Sequence, residues 1–272
     1  RSLPDLDGVV VSPGVPGDHP ALTNLPADIP VIGELELGWR VFRGDAVAIT
    51  GTNGKTTTTE LTAHLLRAAG LEAPALGNLG RPLCDVADTL GPDTVAVIET
   101  SSFQLETIDT FRPRAGAVLN LAPDHLDRYP DLPAYFAAKR RLCDALGDRL
   151  FVTWTNCLEA LSWPAARRTL FGARRDGASV FVHDDVITRI HAGEMEPILP
   201  VADLGLTGGP NLLNALAAVA LVEPYDLDAG ALAEALKTFT GLPHRQELVA
   251  EADGLRFVDD SKATNVHAVC AG

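Results

Sequence analysis

The sequence predicts an α/β fold built on a mostly parallel sheet, with a mononucleotide-binding P-loop domain at its centre. Three observations carry this. The run Val47-Ala48-Ile49 breaks into a turn holding Gly51 and Gly54, and a long helical pattern starts at Lys55. Two later apolar runs, over 94–99 and 115–121, are continuous rather than alternating, as expected of parallel strands covered on both faces. Helical patterns fall between these runs, the alternation that builds a parallel sheet.

The chain has 272 residues, 46% of them hydrophobic, enough for a sizeable core. Lys and Arg number 22 against 36 Asp and Glu, a net charge of −14. That balance argues against a nucleic-acid partner, whose electrostatic footprint is a basic stripe. It leaves room for a nucleotide site, where positive charge is local. Cys84, Cys143, Cys157 and Cys270 are scattered without a CxxC pair, as in reduced cytoplasmic proteins. No signal-peptide pattern opens the chain, and no apolar run approaches the roughly 18 residues of a membrane span. A cytoplasmic protein with no membrane partner is the expectation.

In chain order, Val9-Val10-Val11 before Ser12-Pro13-Gly14 reads as a buried strand and turn. Pro30-Val31-Ile32-Gly33 reads as a second strand, with a helical pattern over 34–42. Residues 1–44 hold too few elements to close a core alone, so they are expected to be the end of a domain that begins upstream. A helix over 55–69 follows the glycine turn, with Leu61, Leu65 and Leu66 on one face and Gly70 in the position just past its end. After the strands over 94–99 and 115–121, the spacing predicts a helix over 132–146. Phe151-Val152-Thr153, Ser179-Val180-Phe181-Val182 and Val186-Ile187-Thr188 read as short strands. A helix over 212–222 is apolar nearly all round and therefore buried, with Asn211 as its N-cap. A further helix over 229–239 ends at Thr240-Gly241-Leu242-Pro243, a hinge or domain boundary. A strand over 255–259 then leads into Asp260-Ser261-Lys262-Ala263-Thr264-Asn265, dense enough in polar groups to be a second phosphate- or carboxylate-handling loop.

The chemistry starts at the glycine turn. Such a turn aims backbone N–H groups at an anion, and the following helix adds its positive end. Lys55 supplies a point charge for the β/γ-phosphates and Thr56 a hydroxyl for phosphate-bound Mg²⁺. The match to the Walker pattern is partial, because Ile49 stands where that pattern has its first glycine. Glu99 ends one strand and Asp124-His125-Leu126-Asp127 follows the next, both at carboxyl ends, where open α/β sheets bind ligands. Lys139 falls inside the apolar stripe of Tyr135, Phe136, Leu142 and Cys143. A lysine there either snorkels to solvent or is desolvated, and desolvation lowers its pKa and frees a reactive amine. One outcome of the latter is a carbamate formed with CO₂, whose oxygens suit Mg²⁺.

Taken together, six segments in order resemble the Mur ligases, the ATP-dependent amide-forming enzymes of peptidoglycan precursor synthesis. They are Gly51-Thr52-Asn53-Gly54-Lys55-Thr56-Thr57, Gly77-Asn78-Leu79-Gly80, Glu99-Thr100-Ser101-Ser102-Phe103-Gln104-Leu105-Glu106, Asp124-His125-Leu126-Asp127-Arg128-Tyr129-Pro130, Thr240-Gly241-Leu242-Pro243-His244-Arg245 and Asp260-Ser261-Lys262-Ala263-Thr264-Asn265. The third and the last resemble most the branch of the family that adds D-glutamate. The resemblance implies residues 1–44 as the end of a domain binding the UDP substrate, 45–240 as the central ATPase, and 241–272 as the start of an amino-acid-binding domain, the two flanks being partial Rossmann-like domains.

It further implies that UDP-N-acetylmuramoyl-L-alanine is activated as an acyl phosphate and attacked by D-glutamate, in a monomer using two Mg²⁺ ions. Gly51, Thr52, Asn53, Gly54, Lys55, Thr56, Thr57, Asn211, Arg245 and Asp260 match ATP-contacting positions. Thr56 and Glu99 match ligands of one Mg²⁺, and His125 with a carbamylated Lys139 those of the second, so that Lys55, His125 and Lys139 are the expected catalytic residues. Ser12, Gly14, Asn78, Gln104 and His125 match positions that hold the UDP-sugar, and Lys262 and Thr264 positions near D-glutamate. Pro210 departs from the family, which often has histidine there. Alternatives are another Mur-type ligase, a folylpolyglutamate-synthase-like ligase, or a nucleotide-binding fragment without ligase activity. The 272 residues alone are expected to bind ATP-Mg weakly and to turn over negligibly.

Overall fold

A computed structural model describes residues 6–78, 80–263, 265 and 269. Leu79, Thr264 and Cys270 lie outside them, so the expected role of Thr264 has no structural counterpart here. From the N-terminus, β1 (Val9–Val11) is followed by the short helix α1 (Pro20–Thr23), β2 (Val31–Gly33) and α2 (Glu34–Val41). β3 (Asp45–Thr50) leads into α3 (Lys55–Ala68), and β4 (Ala75–Gly77), β5 (Val95–Glu99), α4 (Ser102–Leu105), β6 (Ala115–Val118) and α5 (Leu132–Leu146) follow. Next come β7 (Leu150–Trp154), α6 (Leu158–Ser162), β8 (Arg167–Gly172), β9 (Val180–His183), β10 (Val186–His191) and β11 (Glu194–Pro200). α7 (Gly209–Leu221), α8 (Ala229–Thr238), β12 (Glu247–Ala252) and β13 (Leu255–Asp259) complete the order.

One sheet of nine strands runs β11-β10-β9-β8-β7-β6-β3-β5-β4. Pairing is parallel from β4 through β9 and antiparallel only where β9, β10 and β11 turn back on one another. β1 and β2 form a separate parallel pair, and β12 and β13 a separate antiparallel hairpin.

The continuous apolar strands are explained by cover on both faces. Val47 and Ile49 of β3 pack with Leu61, Leu65 and Leu66 of α3 and with α7, whereas Ala46 and Ala48 face Leu35, Leu105, Phe111 and Leu142. Adjacent residues therefore serve opposite cores, the period of two that a strand imposes. α7 is buried from Ala215 to Leu221, as its all-round apolar pattern requires.

α3 begins at Lys55, and Gly70 at φ +84° follows its end, as the sequence predicts. The strands expected in the 150–190 region form as β7, β9 and β10, but β8 and β11 also join the sheet there and β4 joins it at the other edge. One expectation is corrected. Gly208, not Asn211, caps α7, and Asn211 is its third residue. Pro210 has no N–H to leave unpaired and a φ preset for a helix, so it fits the first turn and draws the start of the helix upstream of Asn211.

β3 has β5 on one side and β6 on the other, and the chain crosses from the first side to the second between those strands. This is a topological switch point, where the loops at the carboxyl ends diverge and leave a crevice. The 45–50, 95–99 and 115–118 strands all deliver their last residues to it. The N-terminal segment is held to the stretch leading into β6 through Glu36, which is fully buried and accepts five hydrogen bonds. These come from Arg40, the backbone N–H groups of Asp109, Thr110 and Phe111, and the Thr110 hydroxyl.

Candidate active site

Two glycines shape the turn after β3. Gly54 sits at φ +83° as the N-cap of α3, and a Cβ there would lie 2.4 Å from Asn214 Oδ1. Gly51 sits at φ +151°, with a Cβ position 3.1 Å from that of Leu119 on the neighbouring strand's loop. Both positions exclude side chains, so the backbone amides and the start of α3 form the wall of the crevice. Lys55 folds back over this loop and donates to the carbonyls of Gly51 (3.1 Å) and Thr52 (2.9 Å). Burial draws its pKa below the ordinary lysine value, with the charges of Glu99 and Asp124 opposing the shift.

Glu99, at the end of β5, is 3% exposed. One of its oxygens accepts from the Thr56 hydroxyl at 2.8 Å and the other from the Asn78 amide at 2.7 Å. Arg245, from the far end of the chain, donates to the same Thr56 hydroxyl at 2.8 Å. A hydroxyl and a carboxylate converging beside a phosphate-type loop form an oxygen donor set that fits Mg²⁺.

Lys139 is 2% exposed, which decides between snorkelling and burial. α5 carries it beneath the loop, where it donates to Gly51 O at 2.9 Å and Thr50 Oγ1 at 3.3 Å and lies 4.9 Å from the centre of the Tyr135 ring. Burial, and then the positive charge of Lys55, hold its pKa well below the ordinary lysine value. Two lysines thus share one carbonyl, and the more buried of them is shifted toward a neutral amine. That amine does not itself match the ligand type expected of a second Mg²⁺ site; its carbamate would.

His125 lies in the loop after β6 at φ +52°. Its ring meets Phe103 edge-on at 5.0 Å and Tyr135 at 5.9 Å. Tyr135 therefore connects His125 to Lys139. Its hydroxyl is also 3.3 Å from that of Thr52, and burial pushes its pKa up to about 12. The loop is tied to the phosphate turn through Asn120, which accepts from Asn53 N (2.9 Å) and donates to Asn53 O (3.0 Å). Asn265 bridges the same turn and Asp124, donating at 3.1 Å to each side chain.

Beside the loop lies a cleft of about 520 Å³. Gly54, Asn211, Arg245, Asp260 and Lys262 reach it, joining residues far apart in the sequence. Trp154 and Phe171 line it as well, and the sequence reading misses both. They lie at the carboxyl ends of β7 and β8, so the rule that ligands sit at such ends is the signal that could have found them. Asn214 is also missed. It lies one turn after Asn211, accepts from the Thr58 hydroxyl at 3.3 Å and donates to Asn211 Oδ1 at 3.3 Å.

The expected UDP-sugar residues fall on the opposite flank. Ser12 and Gly14 are exposed on the loop after β1, and Asn78 is held by Glu99. Gln104 is buried, its carbonyl oxygen accepting from Ser101 N at 3.0 Å in a capping box at the start of α4.

Residues 49–222 match the family model described as the Mur ligase middle domain. The chain is 43% identical over 267 residues to a UDP-N-acetylmuramoylalanine–D-glutamate ligase of Pelotomaculum thermopropionicum, covering 96% of this chain and 58% of that protein. It is 42% identical over 273 residues to the same-named ligase of Alkaliphilus oremlandii, covering 98% and 60%. The chain thus spans about three-fifths of the length of these curated relatives. Among solved structures, the MurF ligase of Thermotoga maritima in complex with ADP superposes with a TM-score of 0.69 at 17% identity, over 98% of this chain and 71% of that one. By its middle-domain match and by identity of 40% or more across nearly its whole length, the chain belongs to the Mur ligase family.

Proposed function

We propose that the protein is an ATP-dependent ligase that joins D-glutamate to UDP-N-acetylmuramoyl-L-alanine through an acyl phosphate, in peptidoglycan precursor synthesis. The observation that carries the ligase chemistry is Lys139, buried under the phosphate turn at 2.9 Å from Gly51 O and shifted toward its neutral form. The names of the relatives support the choice of D-glutamate, and the ADP of the Thermotoga maritima neighbour supports ATP.

On this reading residues 45–240 are the ATPase unit, 1–44 belong to the domain that holds the UDP-sugar, and 241–272 to the domain that holds the amino acid. Trp154 and Phe171 offer apolar surface for the base, with Asn211, Arg245 and Asp260 around the nucleotide. The amides of 51–57 and Lys55 hold its phosphates. Thr56 and Glu99 would hold one Mg²⁺, and His125 with carbamylated Lys139 the second; when bound, the ions supply positive charge where a carboxylate must approach a phosphate. The Lys139 nitrogen forms the carbamate by attacking CO₂ with its lone pair, giving up one proton to solvent. Asn78, Gln104, Ser12 and Gly14 would orient the UDP-sugar, and Lys262 and Thr264 would pair with the carboxylates of D-glutamate. No helix among the described residues is long and apolar enough to cross a membrane, and a cytoplasmic monomer is the form proposed.

The test is phosphate release by the complete natural protein with ATP, Mg²⁺ and UDP-N-acetylmuramoyl-L-alanine, comparing D-glutamate with L-glutamate, L-lysine and meso-diaminopimelate. Release that depends on D-glutamate supports the assignment. Release with a different amino acid moves it to another branch of the family, and release indifferent to all of them leaves a bare ATPase.

A further inference from the structure

Glu106 and Arg128 form a cluster that the phosphate and metal chemistry does not use. One Glu106 oxygen accepts from Arg128 Nη2 at 2.7 Å and the other from the Tyr129 hydroxyl at 2.5 Å. Both charged side chains are mostly withdrawn from solvent, Arg128 at 13% exposure and Glu106 at 27%, so the pair is screened less than a surface ion pair. The Arg128 guanidinium also lies 4.3 Å from the centre of the Phe103 ring, the same ring that His125 meets edge-on at 5.0 Å.

Three further hydrogen bonds give the cluster a direction. The backbone N–H groups of Arg128 and Tyr129 both donate to His125 O at 3.0 Å, closing a turn on a histidine whose φ of +52° is uncommon for a non-glycine residue. Arg128 Nη2 also reaches Val15 O at 3.5 Å, on the loop that carries Ser12 and Gly14. One guanidinium therefore touches the N-terminal loop, the Glu106 carboxylate and the ring against which His125 rests.

We propose that Glu106 and Arg128 are positioning residues: a clasp that fixes His125 and sets it in register with the N-terminal loop 12–16. The proposal rests on the ligase reading above for what His125 and that loop bind. Arginine suits the role because its planar fork can bond a carboxylate and stack on an aromatic ring at once, which a lysine ammonium cannot. The clasp holds the loop at its carboxyl side, and Tyr135 holds the histidine ring from α5. Removing it leaves the phosphate turn untouched and frees the histidine relative to the UDP-sugar loop.

The experiment compares Arg128→Met, Arg128→Lys and Glu106→Gln with the complete wild-type protein. Without ligands, hydrogen exchange across 124–130 is expected to speed up about tenfold in Arg128→Met, with α3 and the nucleotide turn unchanged. In turnover, kcat is expected to fall about 10- to 100-fold and the KM for the UDP-sugar to rise several-fold, while the KM for ATP stays within about twofold. Arg128→Lys is expected to recover little of this, and Glu106→Gln combined with Arg128→Met to be no worse than Arg128→Met alone. Unchanged exchange at 124–130, or KM values for ATP and UDP-sugar that move together with a general loss of stability, would overturn the clasp. Failure of the ligase reading is seen separately, as wild-type protein with no D-glutamate-dependent turnover, and the exchange measurement still judges the clasp in that case.

Discussion

Lys139 holds an amine where a charge is poorly solvated, and the sign of its effect on stability follows. Its folded pKa lies below the unfolded value near 10.5, so between the two the unfolded chain binds more protons than the folded one. Stability then rises with pH through that window, by about 1.4 kcal/mol for each pH unit that separates the two values. In CO₂-free buffer, the urea midpoint of the wild type should climb between neutral pH and pH 10 relative to Lys139→Met, since Lys55, shifted in the same direction, is common to both. Parallel curves would show that Lys139 is not desolvated in solution. In the complete protein, Lys139→Ala is expected to lower phosphate release by at least about 100-fold, the scale of losing an aligned charge, with partial recovery in added formate or acetate. Absence of any recovery would count against a carboxylate-like group at this position.

At the level of elements, the start of α3 and the docking of α2 are the points most exposed to single substitutions. Gly54→Ala puts a Cβ 2.4 Å from Asn214 Oδ1 at a φ of +83°, with an expected cost of about 1–3 kcal/mol and loss of nucleotide binding, read by urea midpoint and by calorimetric titration with ATP-Mg. α2 is anchored by Glu36. Burial alone would raise the Glu36 pKa, but hydrogen bonds from Asp109, Thr110 and Arg40 outweigh it and the net shift is downward. Its contribution is therefore fully present above the unfolded value of 4.5 and is lost as pH falls through the folded pKa. Glu36→Gln turns an NH₂ group toward donors that need acceptors, so it should cost about 2–4 kcal/mol at pH 7 and less at pH 3. A loss of the same size at both pH values would place the effect in packing instead.

Over the whole molecule, a chain of net charge −14 gathers Lys55, Arg245 and Lys262 around one crevice. The partial positive charge of a helix start adds to them, so anion binding there is local and independent of the net balance. ATP-Mg at about 100 times its dissociation constant is expected to stabilise the complete protein by about 2.7 kcal/mol, seen as a higher urea midpoint. Lys55→Met should abolish most of that gain at the same nucleotide concentration. An undiminished gain would mean that the nucleotide binds elsewhere.

The features legible in the chain alone are those whose cause is local. The glycine turn declares its conformation because only glycine accepts the angles at 51 and 54 without strain. The parallel strands declare themselves by unbroken apolar runs, and Lys139 by breaking the stripe of its own helix. Near neighbours in the chain suffice for the first two; for Lys139 they leave snorkelling open, and its burial beneath the turn decides. β8 and β11 are not legible, since Arg167-Arg168-Thr169 and Glu194-Met195-Glu196 carry polar side chains that only sheet pairing accommodates. The start of α7 is misread when N-cap preference is weighed without the first-turn preference of Pro210. It took the folded chain to bring Arg245 to Thr56 from 189 residues away, to set Trp154 and Phe171 beside the cleft, and to place Arg128 against the loop holding Val15. Those contacts depend on which strand ends are neighbours at the switch point, and strand order is set by packing of the whole sheet rather than by any one stretch of sequence.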